Sequence, residues 1–167
     1  MPLDPVAFKE ALSRFASGVT VVTTRHEGGL HGLTVSAFSS VSADPPRVLV
    51  SLGNATESRP LIEKSGNFAV HILGREHVKL GLRFAKLVSG LDDPFDGLNY
   101  RAEQTGAPVL ADCLAWLDCR VETVLPVGDH TVFIGAVEAL GHAAGTPEPV
   151  LYYQRGWRVL DPTRLPT

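Results

Sequence analysis

Residues 114–140 read LAWLDCRVETVLPVGDHTVFIGAVEAL. Ala115, Leu117, Cys119, Val121, Thr123 and Leu125 fall on one parity, and Trp116, Asp118, Arg120 and Glu122 on the other. Period-2 alternation over so long a run predicts a β-strand with one apolar and one mixed face. Gly128-Asp129 supplies a turn, and His130 to Leu140 returns as a second strand. A long antiparallel hairpin is therefore the frame around which the rest must fold.

Other β-rich runs lie on both sides of it. Val19-Thr20-Val21-Val22-Thr23-Thr24 is dominated by β-branched residues, with Glu27-Gly28-Gly29 as a turn. A second strand is expected from His31 to Ser42, ended by Asp44-Pro45-Pro46. Arg47–Leu52 is a continuous apolar run that suggests burial on both faces, and Phe68–Leu73 is a further strand. Val150–Tyr153 and Trp157–Val159 flank Gly156 near the end.

Helical signals are few. Asp4-Pro5 reads as an N-cap and first-turn proline, with Phe8, Ala11, Leu12 and Phe15 as the apolar stripe and Gly18 as the stop. Ser58 with Pro60 opens a short helix closed by Gly66, and residues 76–86 carry Val78, Leu82 and Ala85 on one side. Val88 to Ala107 reads as loop. Six or seven strands and about three short helices that do not alternate as βαβ units disfavour a parallel sheet. The expected class is mainly β: an antiparallel barrel with helices over its open ends.

The chain has 167 residues, 44% hydrophobic and 20% charged, with net charge −3 and pI near 6.0, which fits a single globular domain over 1–167. No basic stripe is present to meet a phosphate backbone, so nucleic acid is not an expected partner. Cys113 and Cys119 form neither a CxxC pair nor a Cys/His set, and read as buried reduced thiols rather than metal ligands. His26, His31, His77 and His142 are too scattered for a metal site, and His71 reads as structural or interfacial. Met1-Pro2-Leu3-Asp4-Pro5 lacks a signal-peptide start, and no run approaches the ~18 apolar residues of a membrane span. A cytoplasmic, non-membrane protein is expected.

The chemically informative segment is Gly32–Ser42. Thr34, Ser36 and Ser40 share a parity, while Leu33, Val35 and Ala37 face the other way, with a bulge expected near Phe38–Ser40. Small hydroxyl side chains leave room for a flat ring against the backbone and supply donors to its polar edge. A second cluster follows: Ser51, Asn54, Thr56, Ser58 and Arg59. With Ser58 as a cap, the helix amides and the Arg59 charge suit a phosphate, although Pro60 removes one amide. Both clusters are also compatible with a solvated strand and an ordinary helix cap.

Residues 15–24 (Phe15-Ala16-Ser17-Gly18 into the first strand) and Gly32 to Pro46 resemble the flavin reductase family of FMN-binding split barrels. So do Phe68–Leu73, Gly128-Asp129-His130-Thr131-Val132-Phe133-Ile134-Gly135 and Leu151-Tyr152-Tyr153, all in family order. The resemblance is strongest to the short reductase components of two-component flavin monooxygenases. It implies a Greek-key split barrel that is homodimeric, with flavin near the dimer interface. It also implies hydride transfer from NADH, or NADPH, to FMN or FAD, and a partner monooxygenase served by diffusing reduced flavin.

Carried over by position, Thr34, Ser36, Ala37 and Ser40 would line the isoalloxazine, with Ser51 and Leu52 beside it. Thr56, Ser58 and Arg59 match the phosphate turn, and His130 and Tyr152 lie where the nicotinamide or exposed flavin face is met. Departures are Ser17 for a usual threonine, a serine-poor turn carrying Glu57, and Gln154 inserted before Arg155-Gly156-Trp157. No Gly-x-Gly-x-x-Gly fingerprint is present, so the nicotinamide would lie in a groove. Two other readings stay open: a split-barrel flavoprotein with a different redox substrate, and a cofactor-free β-barrel binding module.

Overall fold

The computed structural model describes residues 3–145 and 147–161; the remainder of the expected 1–167 domain lies outside the described residues. In chain order the elements are α1 (Pro5–Leu12), β1 (Ser17–Gly18), β2 (Thr20–His26), β3 (Gly29–Val35), β4 (Phe38–Ala43), β5 (Pro46–Gly53) and α2 (Ser58–Ser65). There follow β6 (Asn67–Ile72), a 3₁₀ turn at Arg75–His77, α3 (Val78–Phe84), β7 (Tyr100–Ala102) and β8 (Pro108–Leu110). The chain closes with β9 (Ala115–Val127), β10 (His130–His142), β11 (Val150–Tyr153) and β12 (Gly156–Val159).

β9 and β10 form the expected long hairpin, registered from His130 opposite Val127 to His142 opposite Ala115. They sit inside a seven-stranded antiparallel sheet of order β3-β2-β6-β9-β10-β5-β4. This non-sequential order is the Greek-key arrangement expected. Laid flat, β3 and β5 would be about 24 Å apart at ordinary strand spacing. Yet Val35 of β3 packs in one core cluster with Val48, Val50 and Leu52 of β5, Phe68 of β6, Phe133 of β10 and Ile62 of α2. The sheet is therefore rolled around its core. Its two edges, β3 and β4, are consecutive in sequence, so the barrel is split at the Ser36-Ala37 connection.

Several expectations are corrected. The single strand from His31 to Ser42 is two strands, because the chain must leave its pairing with β2 and take up pairing with β5. The bulge lies between Ser40 and Ser42. β5 is not buried on both faces: Val48, Val50 and Leu52 point inward, while Leu49 and Ser51 are half-buried. α1 stops at Leu12, capped by Asp4 Oδ1 on the Val6 amide, so Phe15 lies beyond it. Gly18 does not stop a helix but pairs, in β1, with Leu151 of β11.

Tyr100–Ala102 and Pro108–Leu110, expected as loop or left unassigned, pair as a small hairpin. It covers His71, which is fully buried: the Leu110 amide donates to Nε2 at 3.0 Å, and Nδ1–H donates to the Val21 carbonyl at 2.9 Å. That fixes a neutral tautomer, and burial pushes the His71 pKa down to about 4. His71 is thus a structural clamp between sheet and hairpin. Cys113 and Cys119 are buried free thiols, pushed up to about 11 and about 12 by burial.

Candidate active site at the split of the barrel

The split is built by two attachments. Thr34 Oγ1 donates to the Gly81 carbonyl at 2.6 Å, tying the end of β3 to α3. Beyond it the Phe38 amide donates to the Ser36 carbonyl, and the Ser51 amide donates to the Ala37 carbonyl, each at 3.0 Å. Ser36 and Ala37 are left exposed between the strands.

Two clefts open on either side of this bend. One, of about 520 Å³, has apolar walls from Leu12, Phe15, Phe38, Leu49 and Tyr152, hydroxyls from Ser17, Ser36 and Ser39, and Lys9 and Arg155 as cations. The other, also about 520 Å³, lies between Thr34, Leu82, Leu87, Trp157, Tyr152 and Arg155. Ser36, Tyr152 and Arg155 border both. Such volumes are ordinary for small-molecule sites. The walls are apolar with hydroxyls at one edge, a donor set that fits a flat heteroaromatic ring.

Gln154 and Arg155 form the two-residue turn between β11 and β12, both at positive φ (48° and 58°). This left-handed pair matches the strand twist but is unusual for residues other than glycine and asparagine. The Gln154 amide donates to the Ser13 carbonyl at 2.8 Å, which anchors the turn to the end of α1 and sets Arg155 at the cleft mouth. Gln154 was legible only as an insertion; its anchoring role was not.

The second polar cluster lies one strand away. His130 on β10 is opposite Gly53 on β5, and Val132 is opposite Ser51. Paired residues share a face, so Ser51, Gly53, Val132 and His130 make an outward strip beside Ala37. Asp129 Oδ1 accepts from His130 Nδ1 at 2.7 Å, and this hydrogen bond holds the Asp129 carboxyl below its usual range. Arg59 Nε donates to Thr131 Oγ1 at 3.1 Å, and its guanidinium pairs with Glu63 at 2.9 Å. Thr56 Oγ1 donates to the Gly53 carbonyl at 2.8 Å. Glu57 pairs with Lys86 at 2.8 Å, which offsets the negative charge in this turn.

The sequence-derived set is thus partly reunited. Ser36, Ala37 and Tyr152 share a cleft; Ser51 and His130 lie on the adjoining strip; Thr56, Ser58 and Arg59 follow in the next turn. Four details differ. Thr34 lines the second cleft, but its hydroxyl is engaged by Gly81. Ser39 rather than Ser40 lines the first cleft, because the bend at Ser36-Ala37 resets the alternation. The Leu52 side chain is in the core at 1% exposure, so only its backbone adjoins the strip. Ser58 is no cap: Glu57 holds the cap position in helical geometry without a side-chain hydrogen bond, and Ser58 is the buried first residue of α2. Phe15, Ser17, Lys9 and Trp157 are site-lining residues that spacing alone did not single out.

A rolled antiparallel sheet, split where a cleft with a polar edge opens, defines a small-molecule-binding split barrel. The chain belongs to the flavin reductase like domain family, whose model matches residues 12–161. It is 34% identical over 163 residues to the reductase subunit HsaB of a flavin-dependent monooxygenase from Mycobacterium tuberculosis, covering 97% of this chain and 86% of that protein. It is 37% identical over 153 residues to the NADH-dependent flavin reductase StyB of Pseudomonas fluorescens, covering 90% and 87%. Among solved structures, the NADH:FAD oxidoreductase SgcE6 of Streptomyces globisporus C-1027, in complex with NAD and FAD fragments, superposes with TM-score 0.85 at 30% identity, covering 97% and 98%.

Proposed function

We propose that this protein is an NADH-dependent flavin reductase, transferring a hydride to FMN or FAD and releasing reduced flavin to a partner monooxygenase. Support comes from family membership, from relatives named NADH-dependent flavin reductase and monooxygenase reductase subunit, and from the site itself. One observation carries it: the apolar cleft at the Ser36-Ala37 bend borders the outward strip of Ser51, Gly53 and His130, which the Ser51 amide joins to the Ala37 carbonyl.

A flavin and a reduced nicotinamide held in the cleft would themselves supply the hydride chemistry, so no side chain need act as nucleophile or base. The protein's part is placement. Ser36, Ala37 and Ser51 support the ring, with Ser40, Thr34 and the Leu52 backbone behind them. Thr56, Ser58 and Arg59 take the flavin phosphate. Tyr152 covers the ring, and His130, oriented by Asp129, meets the nicotinamide. Apolar walls from Phe15, Phe38 and Tyr152 would exclude water from the cleft and favour close approach of the two rings.

We place the whole of residues 1–167 in one such unit, acting as a cytoplasmic homodimer. Among the described residues no helix is long and apolar enough to cross a membrane. α1 buries none of its residues: Phe8 and Leu12, with Phe15 just beyond, stand 54%, 57% and 77% exposed, Leu12 and Phe15 at the cleft. Apolar surface of this kind calls for a cover, and a second copy supplies it.

The test is NADH consumption by the purified protein with FMN, FAD or riboflavin added. Turnover that rises with free flavin supports the proposal. A colourless protein that binds no flavin and leaves NADH unoxidised contradicts it.

A further inference from the structure

The turn that follows β5 and the hairpin that presents His130 are cross-linked by a compact hydrogen-bond relay. Thr131 is the centre of it and is only 1% exposed. Its Oγ1 accepts from Arg59 Nε at 3.1 Å and donates to Asn54 Oδ1 at 2.7 Å. Asn54 then holds the turn of the hairpin: its amide donates to the Asp129 carbonyl at 2.9 Å and its Nδ2 to the Gly128 carbonyl at 3.3 Å. Thr131 pairs with Leu52 and points inward, while its neighbour His130 pairs with Gly53 and points outward. One residue anchors the hairpin and the next exposes the imidazole.

We infer that Thr131, through Asn54 and Arg59, is a positioning residue that makes the 53–59 turn and His130 move as one unit. An anion bound in that turn therefore improves the fit of the nicotinamide dinucleotide. The inference rests on the reading of Thr56, Ser58 and Arg59 as the flavin-phosphate turn. Its physical basis is that a buried hydroxyl with both its donor and its acceptor roles filled cannot shift alone. Movement of Arg59 toward an anion changes its bond to Thr131, and through Asn54 the geometry of residues 128–130. Coupling between two sites is reciprocal, so the dinucleotide must tighten phosphorylated flavin by the same factor.

The experiment is a fluorescence titration of FMN and of riboflavin into the protein, with and without NAD⁺, which does not reduce the flavin. The inference expects NAD⁺ to tighten FMN about fivefold or more while leaving riboflavin nearly unchanged. Thr131→Val keeps the shape, removes the hydroxyl and abolishes the FMN-specific effect; Thr131→Ser restores it. Asn54→Ala, at an exposed position, gives the same loss should Thr131→Val fail to fold. Equal tightening of both flavins by NAD⁺, or a full FMN-specific effect surviving in Asn54→Ala or Thr131→Val, overturns the coupling. FMN and riboflavin binding equally well without NAD⁺ overturns the phosphate-turn reading itself, and the coupling with it.

Discussion

The hydroxyl of Thr34 donates to the carbonyl of Gly81 at 2.6 Å, so a side chain that reads as a ligand donor is also the strut between β3 and α3. Thr34 and Ser36 share a parity in sequence, yet one holds the site's wall and the other faces the cleft. Thr34→Val removes one of the two hydrogen bonds to the Gly81 carbonyl, which keeps the Ala85 amide as donor, and costs about 0.5–1.5 kcal/mol of stability. Ser36→Val leaves stability nearly unchanged and weakens FMN binding. Urea midpoints and flavin titrations on the two variants separate the roles; equal destabilisation by both would remove the distinction.

Gly81 itself is held small by its neighbours. A Cβ there would run into the Trp157 ring and sit 3.1 Å from Leu73 Cδ1. In a helix Gly→Ala ordinarily stabilises, by up to about 1 kcal/mol. Here Gly81→Ala is expected to destabilise by about 1–2 kcal/mol and to shift the tryptophan emission as Trp157 leaves the second cleft. An unchanged emission spectrum with raised stability would contradict this packing.

His71 makes the fold acid-sensitive. Burial holds its folded pKa at about 4, against about 6.5 in an unfolded chain. Between those values the unfolded chain takes up a proton that the folded chain refuses. Stability is therefore fully present above this window and falls as pH drops through it, by about 3 kcal/mol in all. His71→Gln removes the titration, at a cost in stability near neutral pH. Denaturant midpoints taken between about pH 7 and about pH 4 should fall more steeply for the parent than for the variant. Parallel curves would show that His71 does not set the acid limit.

The proposed role of His130 is toward the nucleotide more than the flavin. His130→Ala is expected to raise the KM for NADH about tenfold, the loss of one good hydrogen bond, while FMN affinity changes by less than about twofold. Steady-state kinetics equal to the parent's would take His130 out of the site.

Much of this architecture was legible in residues. The 114–140 hairpin, the β-branched run 19–24 and the Phe68–Leu73 strand announce themselves by composition and alternation, and each is where the pattern puts it. Alternation failed where the chain changes partners: the Ser36-Ala37 bend breaks the parity that spacing alone extends to Ser40. The apolar run Arg47–Leu52 hid a half-buried face because the apolar Leu49 lines the open first cleft. β7 and β8 are three residues each, β8 opening on Pro108, too short for any period to register. Contacts between distant segments, such as Thr34 with Gly81 or Gln154 with Ser13, have no local signature at all.

The most direct test of the account is a crystal structure with FMN bound. The ring should lie against Ser36, Ala37 and Ser51, with the phosphate at Thr56–Arg59 and one face open toward His130. Flavin seated elsewhere, or a cleft filled by Phe15 and Tyr152 with no room for the ring, would contradict it.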